Sequence, residues 1–160
     1  MTEIRYHKRD IAKLQLMTAV ALFLHGKDLS SVITLAGAAG NILETLVRNE
    51  GKEPFVDYGC KVCRELSGKM PKRKSYLYYI NTKFGVNQHK HMSEHDPETV
   101  ELDLDKMAVD AISKAVLDYI KLEGQKESFV NAFLSWTWKN MDGPGIMDNF
   151  MKLPKKLKNL

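Results

Sequence analysis

Apolar residues recur at spacings of three and four along most of this chain, and that period admits a helical bundle and little else. Between Arg9 and Leu24, residues Ile11, Leu14, Met17, Val20, Ala21 and Leu24 line one face, and Gly26 closes the segment. A second helix is predicted from the candidate caps Asp28 and Ser30 through Val32, Leu35, Ala39, Leu43 and Leu46, ending at Gly51. Its middle, Ala36-Gly37-Ala38-Ala39-Gly40, carries two glycines that cost about 1 kcal/mol each relative to alanine. Close approach of another helix would offset that cost, so this stretch is expected at the centre of a helix crossing or of a dimer interface. Further helices are predicted over roughly Phe55–Leu66, Ser75–Met92, Asp105–Leu122 and Glu127–Met141. Thr99 to Leu104 alternates polar and apolar residues but has no partner strand, and reads as an extended approach to the next helix. The fold class is therefore all-α, a bundle of about five to six helices.

At 160 residues and 44% apolar content the chain can bury one core. A single domain over residues 1–142 is expected, followed by an irregular basic tail over residues 143–160, where Gly143-Pro144-Gly145 breaks the pattern. Residues 152–160 hold Lys152, Lys155, Lys156 and Lys158 and no acid; without those four the remaining 20 basic residues balance 20 acids. A neutral body argues against a dedicated duplex-binding surface. The longest apolar run, Ala19–Leu24, is far below the roughly 20 residues of a spanning helix, and no signal pattern follows Met1. The expectation is a soluble, cytoplasmic protein with no membrane partner. Two cysteines are too few for a disulfide framework, which agrees with a reducing compartment.

The segment Val86-Asn87-Gln88-His89-Lys90-His91 is the foremost candidate site. It gathers two imidazoles, an ammonium and a carboxamide within six residues, groups able to hold a phosphate and move a proton near neutral pH. His91, Asn87 and Lys90 are the candidate catalytic residues, with His89 and His95 as binding residues. Cys60-Lys-Val-Cys63 has the spacing of half a zinc site that His89, His91 or His95 would have to complete. No second CxxC exists, and cysteines three apart share a helix face as small apolar groups, so neither metal nor cofactor is expected. His25 reads as a helix C-terminal residue stabilised by the dipole, and His7 as part of a solvated basic start. Of Trp136 and Trp138, two apart, one is expected in the core and one exposed. The tyrosines Tyr76, Tyr78 and Tyr79 could stack on bases, but in so apolar a helix they are expected mainly in the core. No Gly-rich phosphate loop, Ser-His-Asp order or HExxH pair is present, which removes those enzyme classes.

The first amphipathic helix, the second helix with Ile33-Thr34-Leu35-Ala36-Gly37-Ala38-Ala39, the Asn87–His91 segment, and the later helix with Ala108, Ile112, Ala115 and Tyr119 together resemble the HEPN superfamily of small helical bundles, over roughly residues 8–125. The resemblance implies a dimer that brings two motifs together and cuts RNA without metal, using an Arg, usually followed by a polar residue, and a His four to six residues beyond. Aligned on Asn87 and His91, the Arg position is held by Val86. That substitution implies a catalytically degenerate, homodimeric binding or regulatory module of a defence or toxin-type system. Its partner would be RNA, a nucleotide or a protein. The alternative is a metal-independent ribonuclease in which His91 transfers protons, Asn87 positions and Lys90 neutralises phosphate.

Overall fold

In the computed structural model, which describes residues 3–158, the chain is all-helical, with no strand among the described residues. Among the described residues nine helical segments follow one another: α1 Lys8–Leu24, α2 Leu29–Asn49, α3 Phe55–Ser67, α4 Arg73–Lys83, α5 Val86–Lys90, α6 Leu104–Glu123, α7 Ser128–Asn140, α8 Gly143–Lys152 and α9 Lys155–Lys158. Local chemistry sets their ends. His7 caps α1, its Nδ1 accepting from the Arg9 N–H at 3.0 Å, so it does more than begin a solvated basic segment. At the other end of α1 the His25 ring lies 2.7 Å from the Ala21 carbonyl. Asp28 caps α2 through the N–H groups of Ser30 and Ser31.

The core is the packing of α2 on α1 and α6, extended by α7. Ala36, Ala39 and Leu43 of α2 meet Ala108, Ile112, Ala115 and Val116 of α6, all buried. The glycines open room for this. A Cβ on Gly37 would stand 2.6 Å from Val86 Cγ1, and one on Gly40 would stand 3.6 Å from the Ala115 Cβ. The Ala–Gly stretch thus serves a crossing within the chain, the first of its two expected roles. Among the described residues α2 is the one helix long and apolar enough to cross a bilayer, and its apolar stripe is this buried face. At the far side Phe23, Phe133 and Trp136 form an aromatic cluster, Phe23 and Trp136 edge to face at 4.6 Å, while Trp138 stays exposed.

Two expectations change. The helix expected over Ser75–Met92 is two helices, because Gly85 takes φ +75° and the chain turns between Lys83 and Val86. The tail expected to be irregular over residues 143–160 forms α8 and α9, with its last two residues outside the described range. Asp142 caps α8 by accepting from Gly145 N–H at 3.2 Å, and Pro144 sits in the first turn, where its missing N–H costs nothing. The helix count accordingly exceeds the five to six expected.

Candidate functional site

The Asn87–His91 segment is built on α5, a single turn fastened to α2 and α4. Val86, 2% exposed, fills the notch left by Gly37. Asn87 reaches back to α4, its Nδ2 donating to Thr82 Oγ1 at 2.7 Å and to the Tyr78 carbonyl at 3.3 Å. His89 Nδ1 lies 2.7 Å from the Gly85 carbonyl. Lys90 is half-buried; burial first, and the like charge of Lys114 second, hold its ammonium below the ordinary lysine value. His91 and His95 are exposed. His91 ends the helix: its N–H still donates to the Asn87 carbonyl at 3.0 Å, but its own backbone is extended at φ −134°, ψ 142°. His91 therefore does not continue the helical face of Asn87, and the Asn87 amide is occupied by α4. His95 sits in a separate turn fixed by Asp96 accepting from Ser93 N–H at 2.8 Å.

The outward side of α4 carries features the sequence reading passed over. From Leu66 to Ser93 there is no Asp or Glu, while Lys69, Lys72, Arg73, Lys74, Lys83 and Lys90 all fall there. Averaging charge over the whole body concealed this segregation. Lys69, Lys72, Lys74 and Lys83 are exposed, and so, against expectation, are Tyr78 (69%) and Tyr79 (54%). Lys83 Nζ stands 5.8 Å from the centroid of the Tyr79 ring. Tyr76 alone of the three turns inward, against Gly59 and Cys63, and burial leads in pushing its hydroxyl up to about 12. Beside the start of α4 a hollow of about 460 Å³ is lined by Cys63, Ser67, Lys69, Lys72 and Ser75. An exposed aromatic pair amid lysines, with no acid nearby in sequence, can stack bases and attract phosphates.

A partly buried ion network holds this face in place. Glu44 of α2 accepts from Lys114 Nζ of α6 at 3.2 Å and from Arg73 Nη2 of α4 at 2.6 Å. Arg73 Nε also donates to Asp57 of α3 at 2.5 Å. Asp118, with no exposure, accepts from the Phe55 N–H at 2.7 Å and so caps α3 from another helix. Burial pushes its carboxyl up, the Phe55 hydrogen bond and then Lys114 and Lys121 opposing. Arg73 pins the start of α4 and Val86 pins α5 just past its end, which leaves the Tyr78–Tyr79 side facing solvent. The network had a signal in the sequence: Glu44 continues the Gly37–Gly40 stripe, and Lys114 and Asp118 interrupt the apolar face of α6 one turn apart.

Cys60 is buried and Cys63 half-buried, and burial raises the Cys60 thiol. Among the described residues no cluster of three or more His, Cys, Asp or Glu is placed to hold a metal ion. Compared with protein-family models, curated proteins and solved structures, the chain gives no match.

Proposed function

We propose that the protein is a catalytically degenerate, HEPN-like, homodimeric binding module, and that its ligand is single-stranded RNA lying along α4 toward His91. The observation that carries this reading is the two-sidedness of the α4–α5 unit. Inward, the position where the HEPN motif has its Arg is a buried valine seated on Gly37, which can give no charge to a phosphate. Outward, Lys74, Tyr78, Tyr79 and Lys83 give stacking planes and charge but no positioned acid–base pair. Sequence-tolerant binding needs only these two features, whereas cleavage needs charge stabilisation at the reacting phosphate as well.

Fluorescence anisotropy with a short labelled mixed-sequence RNA tests this. Binding is expected to favour the single strand over the duplex, to weaken with salt at a slope near −0.7 per phosphate contact, and to fall when Lys74→Glu is combined with Lys83→Glu. RNA incubated in excess chelator should stay intact. Val86→Arg should create no cleavage, because an arginine there would have to displace the packing on Gly37. Cleavage leaving cyclic phosphate ends and lost in His91→Ala would replace this reading with the ribonuclease one. Absence of salt-dependent binding would remove RNA as the ligand, and light scattering showing a monomer at micromolar concentration would remove the dimer.

A further inference from the structure

The C-terminal helix α8 presents an apolar face that nothing in the fold covers. Ile146, Met147, Phe150 and Met151 fall on one side of the helix and all are exposed, with Asp148, Asn149 and Lys152 opposite. Trp138 continues this surface: a Cβ on Gly143 would stand 2.3 Å from its indole, so the ring lies across the first turn of α8 while remaining half exposed. Exposed Met141 and Leu153 extend the patch at either end.

Its surroundings are cationic. Between residues 139 and 158 stand Lys139, Lys152, Lys155, Lys156 and Lys158 against two acids, and both acids are engaged, Asp142 as the α8 cap and Asp148 with Lys152 at 2.5 Å. Lys156 pairs with Glu65 at the end of α3, which folds α9 back toward the acid-free loop that carries Lys69 and Lys72.

We propose that this face docks on an anionic phospholipid surface, with α8 lying in the plane of the interface, Trp138 and Phe150 at the acyl boundary, and the lysines over the headgroups. An apolar stripe edged by lysines, with an aromatic residue at each end, is the composition such helices use. A second copy of the chain fits less well, because a two-fold contact would set these lysines against their own equivalents. Nucleic acid would use the lysines and leave the apolar stripe exposed. The proposal amends the expectation of no membrane partner, which rested on the lack of a run long enough to span a bilayer.

Flotation of the full chain with vesicles decides it. Vesicles of phosphatidylcholine with about one third phosphatidylserine should carry the protein up, and vesicles of phosphatidylcholine alone should not. Tryptophan emission should move to shorter wavelength on binding, and Trp138→Phe should remove that movement while Trp136 remains. Ile146→Glu with Phe150→Glu should abolish flotation and leave the melting temperature unchanged, since both side chains are exposed. Lys155→Glu should weaken partition by at least about fivefold, the worth of one lysine near an anionic surface. Lys74→Glu, on the RNA face, should leave flotation intact. Failure of the full chain to float with the anionic vesicles, or flotation that survives the Ile146→Glu and Phe150→Glu pair, would overturn the proposal. So would a shift from dimer to monomer in that double variant, which would assign the face to a second copy.

Discussion

Where α2 crosses α6, Glu44 is shared between Lys114 and Arg73 and the glycines of α2 are filled by Val86 and Ala115. Along α4 and α8 the reverse holds: Tyr78, Tyr79, Phe150 and Met151 stand in solvent with lysines beside them. The two regions use the same residue types for opposite ends. In the crossing, charge sits out of water and is committed to partners, so it can only stabilise or destabilise the fold. On the periphery, charge and aromatic surface remain available to a ligand. Substitution in one region should therefore move stability, and in the other binding.

The largest effect is expected where the crossing is broken at its centre. Glu44→Ala removes the carboxylate shared by Lys114 and Arg73, and Lys114 is only 4% exposed. Leaving such a cation buried and unpaired costs about 3–5 kcal/mol. Urea melts should show this loss, and RNA binding measured on the remaining folded fraction should fall far less than stability does, since Asp57 still holds Arg73 at the start of α4. A loss below about 1 kcal/mol would mean that water reaches Lys114, and the contrast between the two regions would weaken.

The crossing was the legible part of the sequence because its signals are local and repeated. The three-four spacing and the end signals at Gly26, Asp28 and Gly51 place α1, α2, α3, α6 and α7 within a residue or two of their observed ends. The split at Gly85 was harder to see, since its cause is tertiary: a left-handed turn there lets Val86 reach Gly37 and keeps clear of Met107, whose Sδ would lie 2.8 Å from a Cβ at that position. The helicity of α8 was present in Asp142 and Pro144 but was outweighed by reading Gly143-Pro144-Gly145 as a break. For the site, the sequence shows which polar residues α5 carries but not what each of them packs against. Asn87 was chosen for chemistry and is held by α4, whereas Tyr78 and Tyr79 were assigned to the core because periodicity shows that a helix has a face but not which face is covered.

The peripheral counterpart of the Glu44 experiment is Tyr78→Ala and Tyr79→Ala. Stacking of a base on an aromatic ring is worth about 1–3 kcal/mol, so each should weaken RNA binding about 5- to 150-fold. Stability should stay within about 0.5 kcal/mol, as for exposed sites generally. If either variant melts early while its affinity is intact, that tyrosine belongs with the core.

The two glycines of α2 sharpen the comparison within the crossing itself. Gly37→Ala places a methyl 2.6 Å from buried Val86, whereas Gly40→Ala places one at ordinary contact distance, 3.6 Å, from Ala115. Overpacking costs about 1–3 kcal/mol and the helix preference of alanine returns about 1. Gly37→Ala should therefore lower stability by about 1 kcal/mol and loosen α5, and Gly40→Ala should be neutral or slightly stabilising. Equal effects in thermal melts would show that Val86 is not seated in the notch.

The smallest effect is expected at Asp118, and its sign is informative. Burial raises the folded-state carboxyl above its unfolded value, against the opposing pull of Lys114 and Lys121 and with Glu44 adding to the rise. Between the unfolded value of 3.8 and the raised one, the folded protein binds the proton that the unfolded chain releases, so this group makes stability fall as pH rises through that window. Other carboxyls work in the opposite direction: Asp28, held down by Ser31, and Glu50, held down by Lys52, add stability as pH rises. The wild-type curve alone therefore cannot isolate Asp118, but its difference from Asp118→Asn can. The asparagine oxygen can still accept the Phe55 N–H that caps α3, and the second oxygen, which has no hydrogen-bond partner, becomes an uncharged amide. The two proteins should be equally stable below pH 3.8, and the variant should gain on wild type as pH rises past it. Asp118→Ala, which removes the cap as well, should lie about 1 kcal/mol below Asp118→Asn at every pH. A variant that instead falls behind wild type with rising pH would show that attraction to Lys114 and Lys121 outweighs burial, and that Asp118 is held as a carboxylate by the crossing.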